Sequence, residues 1–391
     1  MIRLVLVFLI LMMGCTSVKM IVKGRPTIYD NTKYQTRIVS IDSNRVKPFV
    51  TKYVDRGLLD SIRVNETEPL YFGKQVTLID YLKNSQTKEF LIIKNDTIIY
   101  RYTDPDYKGN SMNTFSISKS MISLLLGAAI QDGFIKNEQE LITHYIPELK
   151  NFRSFDSITI GHALNMSSGL RFTKITGSIF KLMKSDEAKT YYVNDLRKYL
   201  SKSQREYSPG RYWRYNNFDT ELLAWVIENA TGKTVSAYFQ ERIWKNIGAE
   251  NEAEWMIDQR GHERTHCCFY SKAVDIAKIG RLFLYPDNTV ISEAWLSKII
   301  KFDSSRIPYM PGSKDINIMQ HQYMWWKPNF PASEDIQANG VLGQFLYIDR
   351  ANKIVMVKLS NKNQIGYPFR KIVSVLNGSE YKTQIPIFRA Y

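Results

Sequence analysis

Hydrophobic and polar positions fall into blocks along this chain, and the blocks change character from one end to the other. Leu4 to Met13 is an unbroken apolar run of about ten residues, half of what a helix needs to cross a bilayer. Residues 16 to about 65 are polar and irregular and read as a tether and lead-in segment. From Phe90 the pattern turns to strands. Phe90-Leu91-Ile92-Ile93 and Thr97-Ile98-Ile99-Tyr100 flank Asn95-Asp96, a tight-turn pair. A second hairpin pattern, Phe345 to Ile348 and Ile354 to Val357 around Asp349 to Lys353, closes the chain. Between the hairpins the apolar spacing becomes helical. Ser116 to about Gln131 has a broad apolar face and stops at Asp132-Gly133. Thr159 opens a helix through Ala163 and Leu164 toward Ser168-Gly169, Phe218 to Ala230 stops at Gly232, and Ala273 to Leu284 is the fourth. Strands at both ends with helices between them predict an α+β domain over residues 66–391. Its antiparallel sheet takes its outer strands from both termini, a helical region is inserted, and the active site falls at their boundary.

Composition narrows the function classes. Apolar residues make up 44% of the 391 and aromatics 13%, which is a globular and not a disordered composition. A net charge of +15 raises the question of nucleic acid, but Lys and Arg are dispersed without a run of five or six. No zinc-finger spacing or RNA-binding signature accompanies them, so the charge reads as a solvated surface and no nucleic-acid partner is expected. No internal repeat is present, which excludes a solenoid. Cys267 and Cys268 are adjacent, and because a ring closed between neighbours is strained they are expected as buried, inert thiols. His262 and His266 lie close in sequence, yet four-ligand spacing is absent, so neither a metal nor another cofactor is implied.

The N-terminal run has the length of a signal-peptide core, preceded by Met1-Ile2-Arg3 and ended by Gly14-Cys15. It resembles a bacterial lipoprotein signal, in which cleavage precedes a lipid-modified cysteine. That resemblance implies that residues 1–15 are a signal ending at lipidated Cys15. The protein would then sit at the bacterial cell envelope, held to a membrane by its anchor and facing the periplasm or exterior. An ordinary cleaved signal with an incidental cysteine is the alternative.

Three constellations carry chemistry. In Ser116-Ile117-Ser118-Lys119, positions i and i+3 share one helix face. A serine hydroxyl is a weak nucleophile until a neighbour takes its proton, and a lysine one turn on does this if burial keeps it neutral. The apolar stretch Met121 to Ile130 puts this pair at the start of a buried helix, where a lysine needs a reason. Tyr215-Asn216-Asn217 follows a Pro209-Gly210 turn and leads into the third helix. A phenol relays protons between nucleophile, lysine and leaving group, and the amide of Asn217 can orient the lysine or a substrate carbonyl; a helix cap is the plainer reading of Tyr-x-Asn. Gly340-Val341-Leu342-Gly343-Gln344 sits directly before a strand, and its paired glycines imply close approach of backbone and ligand, although alone it reads as an ordinary hairpin.

Together and in this order, the three resemble the serine β-lactamase and penicillin-binding superfamily. The likeness is to its class C-like branch, with β-lactamase-related serine hydrolases, family VIII-type esterases and 6-aminohexanoate-dimer hydrolases. It spans about residues 80 to 370, with support from Leu164 to Leu170, Cys267-Cys268, Asp275-Ile276-Ala277 and Tyr323-Met324-Trp325-Trp326. The resemblance implies a β-lactamase-like fold and an acyl-enzyme on Ser116, whose proton Lys119 and Tyr215 share. It makes Asn217, Gly340, Val341 and Gly343 the substrate-binding set, with the N–H groups of Ser116 and Val341 holding the oxyanion. Penicillin-type sites carry Lys-Thr-Gly where this chain has Ala338-Asn339-Gly340. Losing that charge-assisted contact to a substrate carboxylate costs about 1.5–3 kcal/mol. Hydrolysis of small esters or amides therefore ranks above β-lactamase or D-alanyl peptidase activity, unless Arg171 or Lys174 compensates. A penicillin-binding-like sensor or binding module without turnover is the rival reading.

Overall fold

The computed structural model describes residues 16–65, 75–174, 184–301, 307–310, 319–328, 334–362 and 368–378. The expected signal and Cys15 lie outside these. Both predicted hairpins form. Thr87–Lys94 and Thr97–Thr103 pair around Asn95 and Asp96, which take φ of +50° and +63° as a tight hairpin turn requires. Gln344–Asp349 pairs with Ile354–Ser360. The sheet's outermost strands come from the two ends of the chain as expected, and the two hairpins meet in its interior, where Ile354–Ser360 pairs antiparallel with Thr87–Lys94. Among the described residues eight strands result, in the order Met319–Gln322, Trp325–Pro328, Asp335–Gly340, Gln344–Asp349, Ile354–Ser360, Thr87–Lys94, Thr97–Thr103 and Val50–Thr51. The last of these joins parallel, and the remaining pairs are antiparallel.

A continuous run such as Ile354-Val355-Met356-Val357 is the mark of a strand covered on both faces, and every residue of Ile354–Ser360 is buried. On one face Phe90, Ile92, Tyr347 and Met356 pack with Phe369 and Ile372 of the Phe369–Leu376 helix and with Tyr81 and Leu82 of the Leu78–Asn84 helix. On the other, Leu91, Val355 and Val357 join Ile276 and Ile279 of the Ala273–Leu284 helix in the main core. That core runs on into the helical region, where Ile117–Gln131 is buried almost all round and Asn217–Thr231 packs beside it.

Residues 16–65 are built into the fold rather than hanging from it. Thr36–Val39 is the edge of a four-stranded sheet continued by Ala253–Met256, Phe269–Ser271 and Met112–Asn113. Strands of two to four residues are too short for an alternation signal, which is why this sheet was not foreseen. The helix opened by Thr159 is likewise shorter than expected. It covers Ile160–Leu164 and ends at Asn165, because Met166 turns to φ +50°. Asp275 lies inside Ala273–Leu284, in its first turn, and accepts the backbone N–H of Glu250 and the amide of Asn251.

Candidate active site

Ser116, the candidate nucleophile, is positioned by the short Met112–Asn113 strand. Thr114 directs both its N–H and its hydroxyl to the carbonyl of Phe269, at 2.8 and 2.9 Å. The side-chain oxygen of Asn113 accepts the N–H of Phe115 at 2.8 Å and that of Cys268 at 3.1 Å. Held this way, Phe115 adopts φ +47°, an unusual conformation for a bulky residue and one that sets the chain on a sharp path into the helix. Ser116 follows as the N-cap of Ile117–Gln131, with no side-chain bond to the helix end, so its hydroxyl is left for other work.

Lys119 is one turn further and is 2% exposed. Its Nζ lies 2.9 Å from Ser116 Oγ and also donates to the carbonyl of His266. Burial takes its pKa from the usual 10.5 down to about 7, against the opposing pull of the Glu221 and Glu187 carboxylates. His266 is fixed in turn by Glu221, whose Oε1 accepts its backbone N–H at 2.8 Å and contacts its Nδ1 at 2.7 Å. His266 and Glu221 were not foreseen in this role. The one signal was an acidic residue among the apolar positions of the Asn217–Thr231 helix.

Tyr215 stands just before that helix, with the Lys119 ammonium 5.0 Å from its ring centroid and that of Lys174 at 5.9 Å. Trp326 stacks against it at 6.2 Å, and Trp213 lies 6.4 Å away. Asn216, not Asn217, caps the helix by accepting the N–H of Phe218 at 2.9 Å. Asn217 is buried and its amide donates to Thr190 Oγ1 at 3.3 Å. Of the aromatic residues near the motifs, Trp325 is core, packed on Phe283 at 4.7 Å. Trp213 and Tyr323 instead line a cavity of about 390 Å³ with His321, Tyr309, Lys298 and Lys301.

The third constellation comes close to the first. Gly340 ends the Asp335–Gly340 strand where a Cβ would stand 2.4 Å from the carbonyl oxygen of Thr114 and 3.1 Å from Cβ of Phe115. Only glycine fits, and its absent side chain lets the Val341–Gly343 turn lie beside the segment leading to Ser116. Leu342 and Gly343 take φ of +61° and +80° in that turn, and the Val341 side chain is exposed.

The expectation of two free thiols fails. Cys267 and Cys268 are joined by a disulfide. Cys268 adopts φ +74°, pinned through its N–H to Asn113, and this local turn is invisible to a rule based on sequence adjacency.

A serine at the head of a buried helix, a lysine one turn on whose pKa burial lowers to about 7 and a tyrosine ring beside that lysine form the arrangement expected of a serine nucleophile. The chain belongs to the Beta-lactamase family, whose profile matches residues 109–372. It is 22% identical over 293 residues to the 6-aminohexanoate-dimer hydrolase of Paenarthrobacter ureafaciens, covering 72% of this chain and 74% of that one. Among solved structures, a Bacillus anthracis protein described as a 6-aminohexanoate-dimer hydrolase superposes with a TM-score of 0.74 at 22% identity, over 90% of this chain and 91% of the other. A family VIII carboxylesterase superposes with a TM-score of 0.59 at 14% identity, over 77% and 95%.

Proposed function

We propose that this protein is a serine hydrolase that forms an acyl-enzyme on Ser116 and turns over esters or small amides. The observation that carries the reading is the 2.9 Å contact between Lys119 Nζ and Ser116 Oγ in a buried setting that holds the amine near a pKa of 7. A neutral amine donates to the His266 carbonyl and offers its lone pair to the Ser116 proton. Ser116 Oγ then attacks the substrate carbonyl, and the proton passes by way of Lys119 and Tyr215 to the leaving group. Backbone N–H groups of Ser116 and of the Val341–Gly343 turn receive the oxyanion. Water, deprotonated by the same pair, releases the acid.

Asn217, bonded to Thr190, helps to hold the helix that carries Tyr215 in register rather than reaching the lysine. The cavity beside Trp213 and His321 takes part of the substrate. Lys174, whose ammonium faces the Tyr215 ring, supplies the positive charge that the Ala338-Asn339-Gly340 triplet lacks. The names of the relatives, a 6-aminohexanoate-dimer hydrolase and a carboxylesterase, are in keeping with amide and ester substrates. Reaction with a fluorophosphonate followed by peptide mass mapping tests the reading. An adduct on Ser116 that is lost in folded Ser116→Ala and Lys119→Ala proteins supports it, and a folded parent that takes up no probe overturns it.

The apolar run before Gly14-Cys15 supports a second element of the proposal, attachment to a bacterial membrane through lipidated Cys15. Metabolic labelling with a radioactive fatty acid, lost in Cys15→Ala, is the expected result. Unlabelled parent protein would remove the anchor.

A further inference from the structure

Lys358 lies in the middle of the eight-stranded sheet and is fully buried, yet nothing in the chemistry above uses it. Among the described residues no carboxylate pairs with it, and burial alone drives its pKa down to about 7. A buried lysine without a counter-ion is costly, so its surroundings are informative. Its ammonium stands 5.3 Å from the Tyr81 ring and 5.8 Å from that of Phe345. It donates to Ser360 Oγ at 3.1 Å and to the carbonyl of Gly343 at 3.4 Å.

The neighbours of Lys358 share its target. Ser360 Oγ lies 2.7 Å from the carbonyl oxygen of Leu342 and 2.9 Å from that of Gly343. The Gln344 amide reaches the carbonyls of Leu342 at 3.2 Å and Val341 at 3.4 Å, and is itself locked to the Ser360 backbone by bonds of 2.6 and 3.1 Å. All three carbonyls of the Val341–Gly343 turn are thus drawn toward one buried cluster. The turn is thereby fixed behind Gly340, which abuts Thr114 and Phe115, and the Val341 N–H at its head is fixed with it. Gly343 leaves no slack, since a Cβ there would meet Ser360 Oγ at 2.5 Å and Lys358 Nζ at 3.1 Å.

We infer that Lys358, Ser360 and Gln344 form a positioning cluster that holds the Val341–Gly343 turn by its carbonyls and so fixes where its leading N–H, that of Val341, stands for the oxyanion of the reacting substrate. The inference rests on the acyl-enzyme reading of Ser116 and assigns buried residues, remote from the nucleophile in sequence, to its oxyanion site. Donors are effective there only when their direction is fixed before charge develops. A lysine behind the turn adds positive potential on the side toward which the carbonyl dipoles already point.

The test compares parent, Lys358→Met, Ser360→Ala and Ser360→Thr for ester turnover and for the rate of fluorophosphonate labelling, each protein checked by circular dichroism and thermal melting. Lys358→Met and Ser360→Ala are expected to lower kcat and the labelling rate about tenfold or more, approaching the loss seen when an oxyanion donor is removed. KM should stay within about twofold, and Ser360→Thr, which keeps the hydroxyl, should restore most of the rate. Should Lys358→Met fail to fold, the Ser360 pair decides alone. Folded variants with the parent's kcat, or a loss confined to KM, overturn the cluster while Ser116 labelling stands. A parent that is never labelled overturns the acyl-enzyme reading and this inference with it.

Discussion

The carbonyl oxygen of His266 binds the same Lys119 amine that contacts Ser116 Oγ at 2.9 Å. Because that carbonyl accepts and never donates, it leaves a neutral amine with its lone pair available for the serine proton. It does so without a carboxylate in direct contact, which would hold the amine charged.

Acylation should accordingly follow the neutral amine. With Lys119 near a pKa of 7, the labelling rate is expected to rise between about pH 6 and 8 and to level off above. Lys119→Met should lose about 10²–10⁴ in rate and its rise near pH 7. A parent profile flat across this range would separate the lysine from the proton transfer.

Glu221 acts on the same equilibrium from a distance. Its negative charge pulls the Lys119 pKa upward, in opposition to burial. Glu221→Gln keeps an acceptor for the His266 N–H but removes the charge, so the acid limb of the rate profile should move to lower pH. An upward shift of that limb in a folded variant would contradict the assigned direction.

At Gly340 the constraint is steric. In Gly340→Ala the new methyl meets the backbone oxygen of Thr114 at 2.4 Å, and neither chain has a flexible end to yield. A stability loss of about 1–3 kcal/mol is expected, with a fall in kcat because the turn and the nucleophile are pushed apart. Thermal melting and steady-state kinetics read the two effects separately.

For the cysteine pair, alkylation of the unfolded, unreduced protein is expected to leave Cys267 and Cys268 unmodified, and prior reduction should add two groups. The bridged turn adjoins the His266 carbonyl on one side and, through Asn113, the Phe115 N–H on the other. Cys268→Ser should therefore slow Ser116 labelling as well as lower the melting temperature. Unchanged labelling in the folded variant would confine the bridge to a stabilising role.

Much of this arrangement was legible in the residues. Long periodic stretches gave the two hairpins and the Ile117–Gln131, Asn217–Thr231 and Ala273–Leu284 helices, because burial imposes a period on ten or more positions at once. Ser116 and Lys119 were legible because helix geometry converts a spacing of three into proximity. The partners of Lys119 were not. His266 contributes a backbone carbonyl, which every residue possesses, and Glu221 acts through its tertiary neighbours. Lys358 and Ser360 lie just past the apolar run Ile354 to Val357, and nothing in their residue types marks them as buried. The left-handed backbone of Phe115 and Cys268, neither of them glycine or asparagine, leaves no trace in composition.

The pairing of Ile354–Ser360 with Thr87–Lys94 also dictates when the molecule can become active. The strand that completes the seam is separated from its partner by more than half of the chain, so a ribosome must finish most of the sequence before the sheet can close. Such distant pairing makes folding slow and leaves the hairpin at residues 87–103 with an unpaired edge meanwhile. During that interval the strand edge is a substrate for chaperones and a template for aggregation. A chain released before Ser360 would lack the strand that Thr87–Lys94 pairs with and the Lys358–Ser360 contacts behind the Val341–Gly343 turn, so under the proposed mechanism its serine and lysine would wait on a helix without their partner turn.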